Sequence, residues 1–574
     1  MLWAALAALT PSALISGATP LAAQGVTGAA IEGRIVGADS TPLEQAIVLA
    51  TNSSNGERWQ ATTGSRGRYF LDHLSVGGPY RIEIRAVGFE PARRDSIRLA
   101  LGQRLTLHFR LTPAVVQLQE ITVTGTEDPR LSASRTGPAL IISDSLIARL
   151  PSIGRDYTDL ALLSPQVSRS PNGGLSFGGQ HDRYNSMQID GTNNKDLFHK
   201  EDAGNATLGY TPGLTSLPPE AVEELQVESA PFDVRFGNFA GGLINAVTKS
   251  GTNQVEGSIL GYFESSDLVA ADDTGSRGGE FSRKELGLTY GAPLVRDRVA
   301  LFLDAGMQRH VTPQTVPAPS SDTTGGADSA GVGIRYQSVM RFDSLLRHHG
   351  VDPGSFSAGV NRTPVRNLFV KVTAQLGVNS RLAVSHTYGH GESQDGTLGR
   401  EHGRYPFSSA GAGGPETINA TRLAWTTAFG SRFSNELMLA RVDDRRTCFP
   451  NSDYPFVSVG ADGGELIAGT AEGCTGAETS QKVWELTDNF GLAAGDHRLT
   501  VGTHGELINL VDDVVSTAGG AWLFGNLDSL ALGQANRYVR DFPNAGSQVA
   551  FRVSQIGAYV QDQWAPTPRL TLTG

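Results

Sequence analysis

The chain has 574 residues, a length that ordinarily holds about four domains of roughly 150 residues each. Its formal charge of −11 excludes a general phosphate-binding surface, because nucleic-acid binders concentrate Lys and Arg. A hydrophobic share of 39 % excludes a disordered chain. Gly is 69 of the 574 residues, well above the usual share of about 7 %. That excess points to a β-rich chain with many turns. After residue 25 no run of 18 apolar residues occurs, so no membrane-spanning helix is expected. A transmembrane β-barrel stays open, since only alternate residues of its strands face lipid.

Residues 1–24 read as a signal peptide. Residues 2–23, LWAALAALTPSALISGATPLAA, are small, apolar and uncharged, as in the apolar region of an export signal. Pro11, Gly17 and Pro20 interrupt any long helix there. No Lys or Arg precedes the apolar run, which departs from the usual pattern. Export makes a disulfide between Cys448 and Cys474 the favoured state of the two cysteines. Its loop of about 25 residues would gain roughly 3 kcal/mol from closure.

Residues 25–112 read as a small all-β domain. In IEGRIVG, Ile31, Gly33 and Ile35 share one face, with Glu32 and Arg34 on the other. The runs 46–52, 67–74, 80–89 and 104–111 follow as strands separated by Gly-rich turns. Strands every 12 residues or so predict a β-sandwich. The phrases IEGRIVGADSTPLEQAIVLATN, GSRGRYFLDHL and YRIEIRAVGFEP resemble the carboxypeptidase-regulatory-like domain. That resemblance implies a non-catalytic, Ig-like accessory. No H-x-x-E zinc-ligand pair is present in this stretch.

Residues 113–126 form a linker, within which the β-prone segment QEITVTGTEDP (119–129) begins. Residues 127–252 follow as a small α+β domain. SDSLIARLPS and RDYTDLALLSPQV have helical spacing with Ser and Asp caps. RYNSMQIDGTNN reads as a strand ending in an Asp-Gly turn, and 217–253 as a capped helix, a strand, a Gly-rich turn and a second strand. The phrases GGQHDRYNSMQIDGTNN, PPEAVEELQVE and FGNFAGGLINAVTKSGTN resemble the plug domain of TonB-dependent outer-membrane receptors of the Oar-like group. By that resemblance Arg183, Tyr184, Asp190, Gly191, Glu223, Gly241, Gly242 and Asn245 are plug-motif residues. The segment Glu120, Ile121, Thr122, Val123, Thr124 and Gly125 takes the place of the TonB box, a handle that TonB grips by adding a strand. Arg183, Asp190 and Glu223 are candidates for a polar network that keeps a plug docked yet movable.

Residues 253–574 alternate in the manner of barrel strands. Val299, Leu301, Leu303, Ala305 and Met307 oppose Ala300, Phe302, Asp304, Gly306 and Gln308. Leu368, Val370, Val372, Ala374 and Leu376 oppose Asn367, Phe369, Lys371, Thr373 and Gln375. In HRLTVGTHGEL, Leu499, Val501 and Leu507 oppose Arg498, His504 and Glu506. Lengths near 10 residues fit one tilted bilayer crossing. Short turns near 293–297, 377–380, 430–431, 493–496 and 565–568 alternate with long loops near 264–280, 310–365, 390–416, 445–481 and 510–550. Outer-membrane barrels pair short periplasmic turns with longer external loops in this way. Tyr262, Phe263, Trp425, Phe429 and Trp564 fit interfacial girdles.

The expected fold is therefore mainly β: an Ig-like sandwich, an α+β plug and about eleven strands. That is half of the roughly 22 in plugged transporters. In the family, YVQDQWAPTPRLTLTG lies mid-barrel, so the chain reads as an amino-terminal fragment.

Catalytic motifs are sparse. Gly174 to Gly178 matches G-x-S-x-G around Ser176, but its context is a Gly-rich loop entering a strand rather than a strand–turn–helix elbow. His386 and His390 share a strand face without a third ligand and read as a solvated loop edge. Asp190–Asp196 starts like a calcium loop and then loses the spacing. No enzyme activity, metal or cofactor is expected. The expected role is a bacterial outer-membrane receptor that imports an external ligand, with TonB and the lipid bilayer as partners and no nucleic acid. The alternative is a surface-binding or export-related scaffold without uptake.

Overall fold

The computed structural model describes residues 26–114, 139–150, 157–169, 174–197, 214, 217–229, 231–237, 239–270, 281–313, 333–356, 359–394, 403–471, 474, 477–513, 518–542, 548–567 and 570–574. The signal-peptide reading at 1–24 and the segment Glu120–Gly125 lie outside these residues.

Two four-stranded sheets form the amino-terminal sandwich. One holds Ala29–Gly37 beside Arg68–Leu74 and, in parallel, Arg104–Thr106 and Phe109–Leu111. The other runs Arg58–Thr62, Ile47–Asn52, Gly77–Arg85, Ala92–Leu99. Ile31 and Ile35 point inward with Trp59, Tyr80, Ile82 and Ile84 and are fully buried, as period-two alternation requires. The strand expected at 104–111 is split in two, and the strands 58–62 and 92–99 had no sequence counterpart.

The next unit is a five-stranded sheet in the order Thr192–Asn193, Ser186–Ile189, Leu243–Thr248, Val222–Glu228, Ala139–Ser143. Asp190 and Gly191 connect its hairpin with φ of 47° and 76°. Both positive values are what a type I′ turn demands, and an Asp-Gly pair supplies them at low cost. The helix expected near 217 is instead one 3-10 turn, Pro219–Ala221. PEAVEELQVE straightens because Val222–Glu228 pairs on both sides, with Leu243–Thr248 and Ala139–Ser143. Two-sided ladder pairing and burial override a weak local helix preference. The two other expected helices shrink to Asp144–Ile147 and Tyr157–Ala161.

Eleven strands then follow in continuous antiparallel order, from Glu256–Ser265 to Leu570–Thr573. Among the described residues the sheet is open, with those two strands as its edges. Most wall strands have 14 to 19 residues, longer than one crossing needs. Their outer ends run on into the long connections. Ala300, Phe302 and Asp304 are buried, whereas Val299, Leu301 and Leu303 are half-exposed on the opposite face. The buried face is covered by the small five-stranded unit. Phe302 and Phe369, whose centroids are 6.2 Å apart, join that unit's apolar core. Trp425, Phe429, Phe433, Phe490 and Trp564 are exposed at the short-turn end of the wall, an aromatic girdle.

The long connections are not independent loops. Arg404–Pro406, Gly464–Ala468, Phe456–Ala461, Ala521–Phe524 and Arg537–Val539 make a five-stranded mixed sheet. The helix Tyr336–His348 packs on it through Val339, Phe342 and Leu346, the i, i+3, i+7 stripe of an amphipathic helix. Phe342 meets Phe407 at 5.3 Å. Cys448 and Cys474 form a disulfide with Cα atoms 5.1 Å apart. It ties the roots of the connection that carries the 456–468 hairpin.

Replacing both cysteines by Ser is expected to cost the external sheet about 3 kcal/mol of loop-closure stabilisation. Limited proteolysis of outer-membrane preparations should then cut within 449–473 at protease levels that spare the parent chain.

Candidate functional site

The candidate site is the contact between the five-stranded unit and the buried face of the wall, together with what seals it from below. Its chemistry is polar. The Asp190 carboxylate accepts from the Thr248 amide at 2.9 Å and the Thr248 hydroxyl at 2.6 Å. From the wall, the Lys371 ammonium donates to both Asp190 oxygens, at 3.2 and 3.3 Å, and to the Thr248 hydroxyl at 2.8 Å. Burial pushes the Asp190 pKa up, but Lys371 and the Thr248 donors outweigh it and hold the carboxyl below its ordinary value.

Two further wall arginines grip the same unit. Arg422 donates from Nε to Thr192 Oγ1 at 2.8 Å and from Nη2 to Asn194 Oδ1 at 2.9 Å. Arg446 bridges Asp196 of the unit, at 2.8 Å, to Glu416 of the wall, at 3.0 Å. Gln481 accepts from the Leu197 amide at 2.9 Å and donates to the Lys195 carbonyl at 3.1 Å. A polar cavity of about 330 Å³ adjoins these contacts, lined in part by Asp190, Glu223, Lys371, Arg381 and Arg422. Burial, then the neighbouring Asp144, raises the Glu223 pKa.

The other motif residues contact the unit's own backbone and core, except that Asn245 reaches the amino-terminal segment. The Tyr184 carbonyl accepts from the amides of Ala240 and Gly241. The Arg183 carbonyl accepts from the Lys195 ammonium. Asn245 is fully buried and donates from Nδ2 to the Val26 carbonyl at 2.7 Å. A Cβ on Gly242 would overlap the Phe177 ring, so only glycine lets that strand approach. Of the three residues expected to form one polar network, the structure brings Asp190 to the wall. Glu223 faces the cavity beside Gly77 of the sandwich instead.

Sequence reasoning did not single out Lys371, Arg422 and Arg446. Lys371 did fall on the inward face of its strand, which was the available signal. Ser176 sits in the strand Leu175–Phe177, paired with Val167–Arg169. His386 and His390 lie well inside a wall strand, not at a loop edge. Each contacts a cross-strand threonine at 2.9 Å, Thr421 and Thr417. The cross-strand ladder extends to Ser393, past the point where sequence placed the strand end.

The sandwich closes the short-turn end. Glu32 pairs with Arg498 at 2.7 Å, and the Arg498 guanidinium lies 3.5 Å from the Phe70 ring centroid. Arg66 and Arg68 both reach Asp496 in the 495–496 turn. The Asn379 side chain, in the 378–379 turn, accepts from the Gln60 amide and donates to the Gln60 carbonyl. The Leu101 amide donates to Glu224 of the five-stranded unit at 2.8 Å. Burial raises the Glu32 pKa, but Arg498, Arg104 and Arg68 reverse that and lower it overall.

Lys371→Met is expected to cost about 3–5 kcal/mol, because it strands a buried carboxylate. Chemical denaturation of the purified chain should show the loss. In the parent chain the Asp190 contribution is present above the ordinary carboxylate pKa of 3.8. It disappears only as pH falls through the lowered folded value, so the difference from Lys371→Met should shrink in acid. Arg498→Ala should loosen the sandwich by about 1.4 kcal/mol, a tenfold change. Hydrogen exchange at the Gln60 and Leu101 amides reports it, and unchanged rates would contradict the docking.

Comparison with known proteins places these features. The carboxypeptidase regulatory-like domain family matches residues 30–112. The outer membrane beta barrel domain family matches residues 247–341 and 346–574, more than half of the chain. The TonB-dependent transporter Oar of Myxococcus xanthus is 24 % identical over 289 residues, 47 % of this chain and 26 % of that protein. The outer membrane transporter YddB of Escherichia coli superposes with a TM-score of 0.53 at 12 % identity, covering 76 % of this chain and 55 % of that one. A mutant of the ferric enterobactin receptor PfeA from Pseudomonas aeruginosa gives 0.48 at 14 %, covering 76 % and 56 %. The chain thus spans about half the length of these solved structures and about a quarter of Oar. It belongs to the outer membrane β-barrel domain family, resides in the bacterial outer membrane and carries a carboxypeptidase regulatory-like domain at its amino-terminal side.

Proposed function

We propose that the chain is part of a TonB-dependent receptor in which residues 127–252 are the plug. An external ligand binds the long connections and the top of the plug. TonB then grips Glu120–Gly125 and draws on the inner-membrane proton-motive force to rearrange the plug and open a path. The observation that carries this reading is the nature of the plug–wall contact. Lys371, Arg422, Arg446 and Gln481 hold the plug by hydrogen bonds and ion pairs, beside a polar cavity. Such contacts can be exchanged for water at modest net cost, whereas a large apolar interface resists sliding. Similarity to a TonB-dependent transporter supports the same reading.

The handle lies between the sandwich, which ends near Pro113, and the plug sheet, which begins at Ala139. Strand addition needs a free backbone donor row. Val123→Pro removes one donor and blocks the ladder. A purified carboxy-terminal domain of TonB should bind the parent chain and lose at least about tenfold affinity for Val123→Pro, some 1.4 kcal/mol. Deleting 119–125 should abolish uptake and leave surface binding of ligand intact. A scaffold would tolerate both changes, and equal TonB binding by parent and variant would sink the transport reading.

A further inference from the structure

Glu485, His504 and Glu506 meet on the buried face of two adjacent wall strands, Glu478–Ala494 and His497–Asp513. One donor atom from each lies within 4.8 Å of the other two, and all three residues are at least 97 % buried. Glu485 and Glu506 are direct cross-strand partners. Two carboxylates facing each other across a ladder repel, and burial intensifies the repulsion.

The polar atoms of the cluster are unevenly used. Glu485 Oε2 accepts from the Asn193 amide at 2.9 Å, and Glu506 Oε1 from Asn193 Nδ2 at 3.1 Å. His504 Nδ1 sits 2.9 Å from the Thr487 hydroxyl. Glu485 Oε1 and His504 Nε2 are buried without a hydrogen-bond partner. Nε2 lies 3.3 Å from Glu506 Oε1, close but not aligned for a hydrogen bond. Two cations are near. Arg422 spends its hydrogen bonds on Thr192 and Asn194, and Lys195 spends its on the Arg183 carbonyl. Neither bonds to the carboxylate pair.

We infer that Glu485, His504 and Glu506 form a binding site for a divalent transition-metal ion that fastens the plug turn at Asn193 to the barrel wall. An ion between the carboxylates converts their repulsion into shared attraction. It also takes up the two buried atoms that have no hydrogen bond. One imidazole with two carboxylates suits a borderline ion such as Zn²⁺ or Mn²⁺. Ca²⁺ favours six to eight oxygens and no imidazole. Bonds of about 2.0–2.2 Å hold neighbouring donors roughly 3–3.6 Å apart; His504 Nε2 and Glu506 Oε1 at 3.3 Å already meet this, and a pair at the 4.8 Å limit would close by about an ångström. The remaining contacts orient the ligands. Thr487 fixes the imidazole, and Asn193 holds both carboxylates. Because Asn193 belongs to the plug turn, metal affinity and plug docking are linked and each strengthens the other.

Zinc alone is the probe. The full chain, purified in detergent and equilibrated with Zn²⁺, is stripped of free ion by gel filtration and assayed by plasma mass spectrometry. The parent should retain one zinc that His504→Gln and Glu485→Gln lack. Asn193→Ala should bind it about 10–100-fold more weakly, the usual effect of removing an outer-shell partner. Either ligand variant can fail to fold, so an X-ray absorption spectrum of the parent gives an independent reading. It should show a nitrogen and oxygen shell with one imidazole. No retained zinc, equal zinc in parent and folded variants, or a spectrum without imidazole overturns the site. In that case a shared proton, not an ion, relieves the carboxylate pair.

Discussion

Hydrocarbon offers a backbone amide no hydrogen-bond partner, and from that constraint the rest of this molecule follows. Each spanning strand must bond to its neighbours along its whole length, which the unbroken ladder between 478–494 and 497–513 achieves over 17 residue pairs. A strand held on both sides has only its two faces left to vary. Lipid claims one face for residues such as Leu301, Val370 and Val501. The inward face is then free to be polar, and it carries Lys371, Arg422 and Arg446. The five-stranded unit therefore meets charges and amides at Lys371, Arg422 and Arg446, with Phe302 and Phe369 as apolar contacts beside them.

That division explains what could be read from the sequence. Alternation at 298–308, 366–376 and 497–507 is a local property and showed directly which residues share a face. The parity of short and long connections was equally visible, and Asp190-Gly191 announced its turn. The partner of each inward charge was not visible. Lys371 and Asp190 are 181 positions apart, and nothing local to either residue names the other. Candidate residues were legible as types on a face, whereas the site was not, because the site consists of pairings.

The external sheet was hidden for a related reason. Its strands have three to six residues, too short for period two to stand out from chance. Arg404–Pro406 pairs in parallel with Gly464–Ala468, and Phe456–Ala461 with Ala521–Phe524. These pairings join three separate connections that look like ordinary loops when read singly. Only the helix 336–348 left a local signature, in Val339, Phe342 and Leu346. The seat of the sandwich was also unreadable, since Arg66, Gln60 and Glu32 resemble any exposed polar residues until Asp496, Asn379 and Arg498 are set opposite them.

The Cys448–Cys474 bond has a bearing on the order of assembly. The two cysteines flank wall strands that are neighbours in the sheet, Phe433–Thr447 and Glu478–Ala494, whose last pair is Thr447 with Glu478. Cys448 directly follows that pair and Cys474 precedes Glu478 by four residues, so the cross-link holds the ends of these two strands close together. A slip of one residue would turn every side chain to the wrong face. The bond also shortens the search, because the two ends of a connection 26 positions apart no longer have to be brought together by diffusion. A closed disulfide thus favours the pairing of these two strands over pairing with a more distant one.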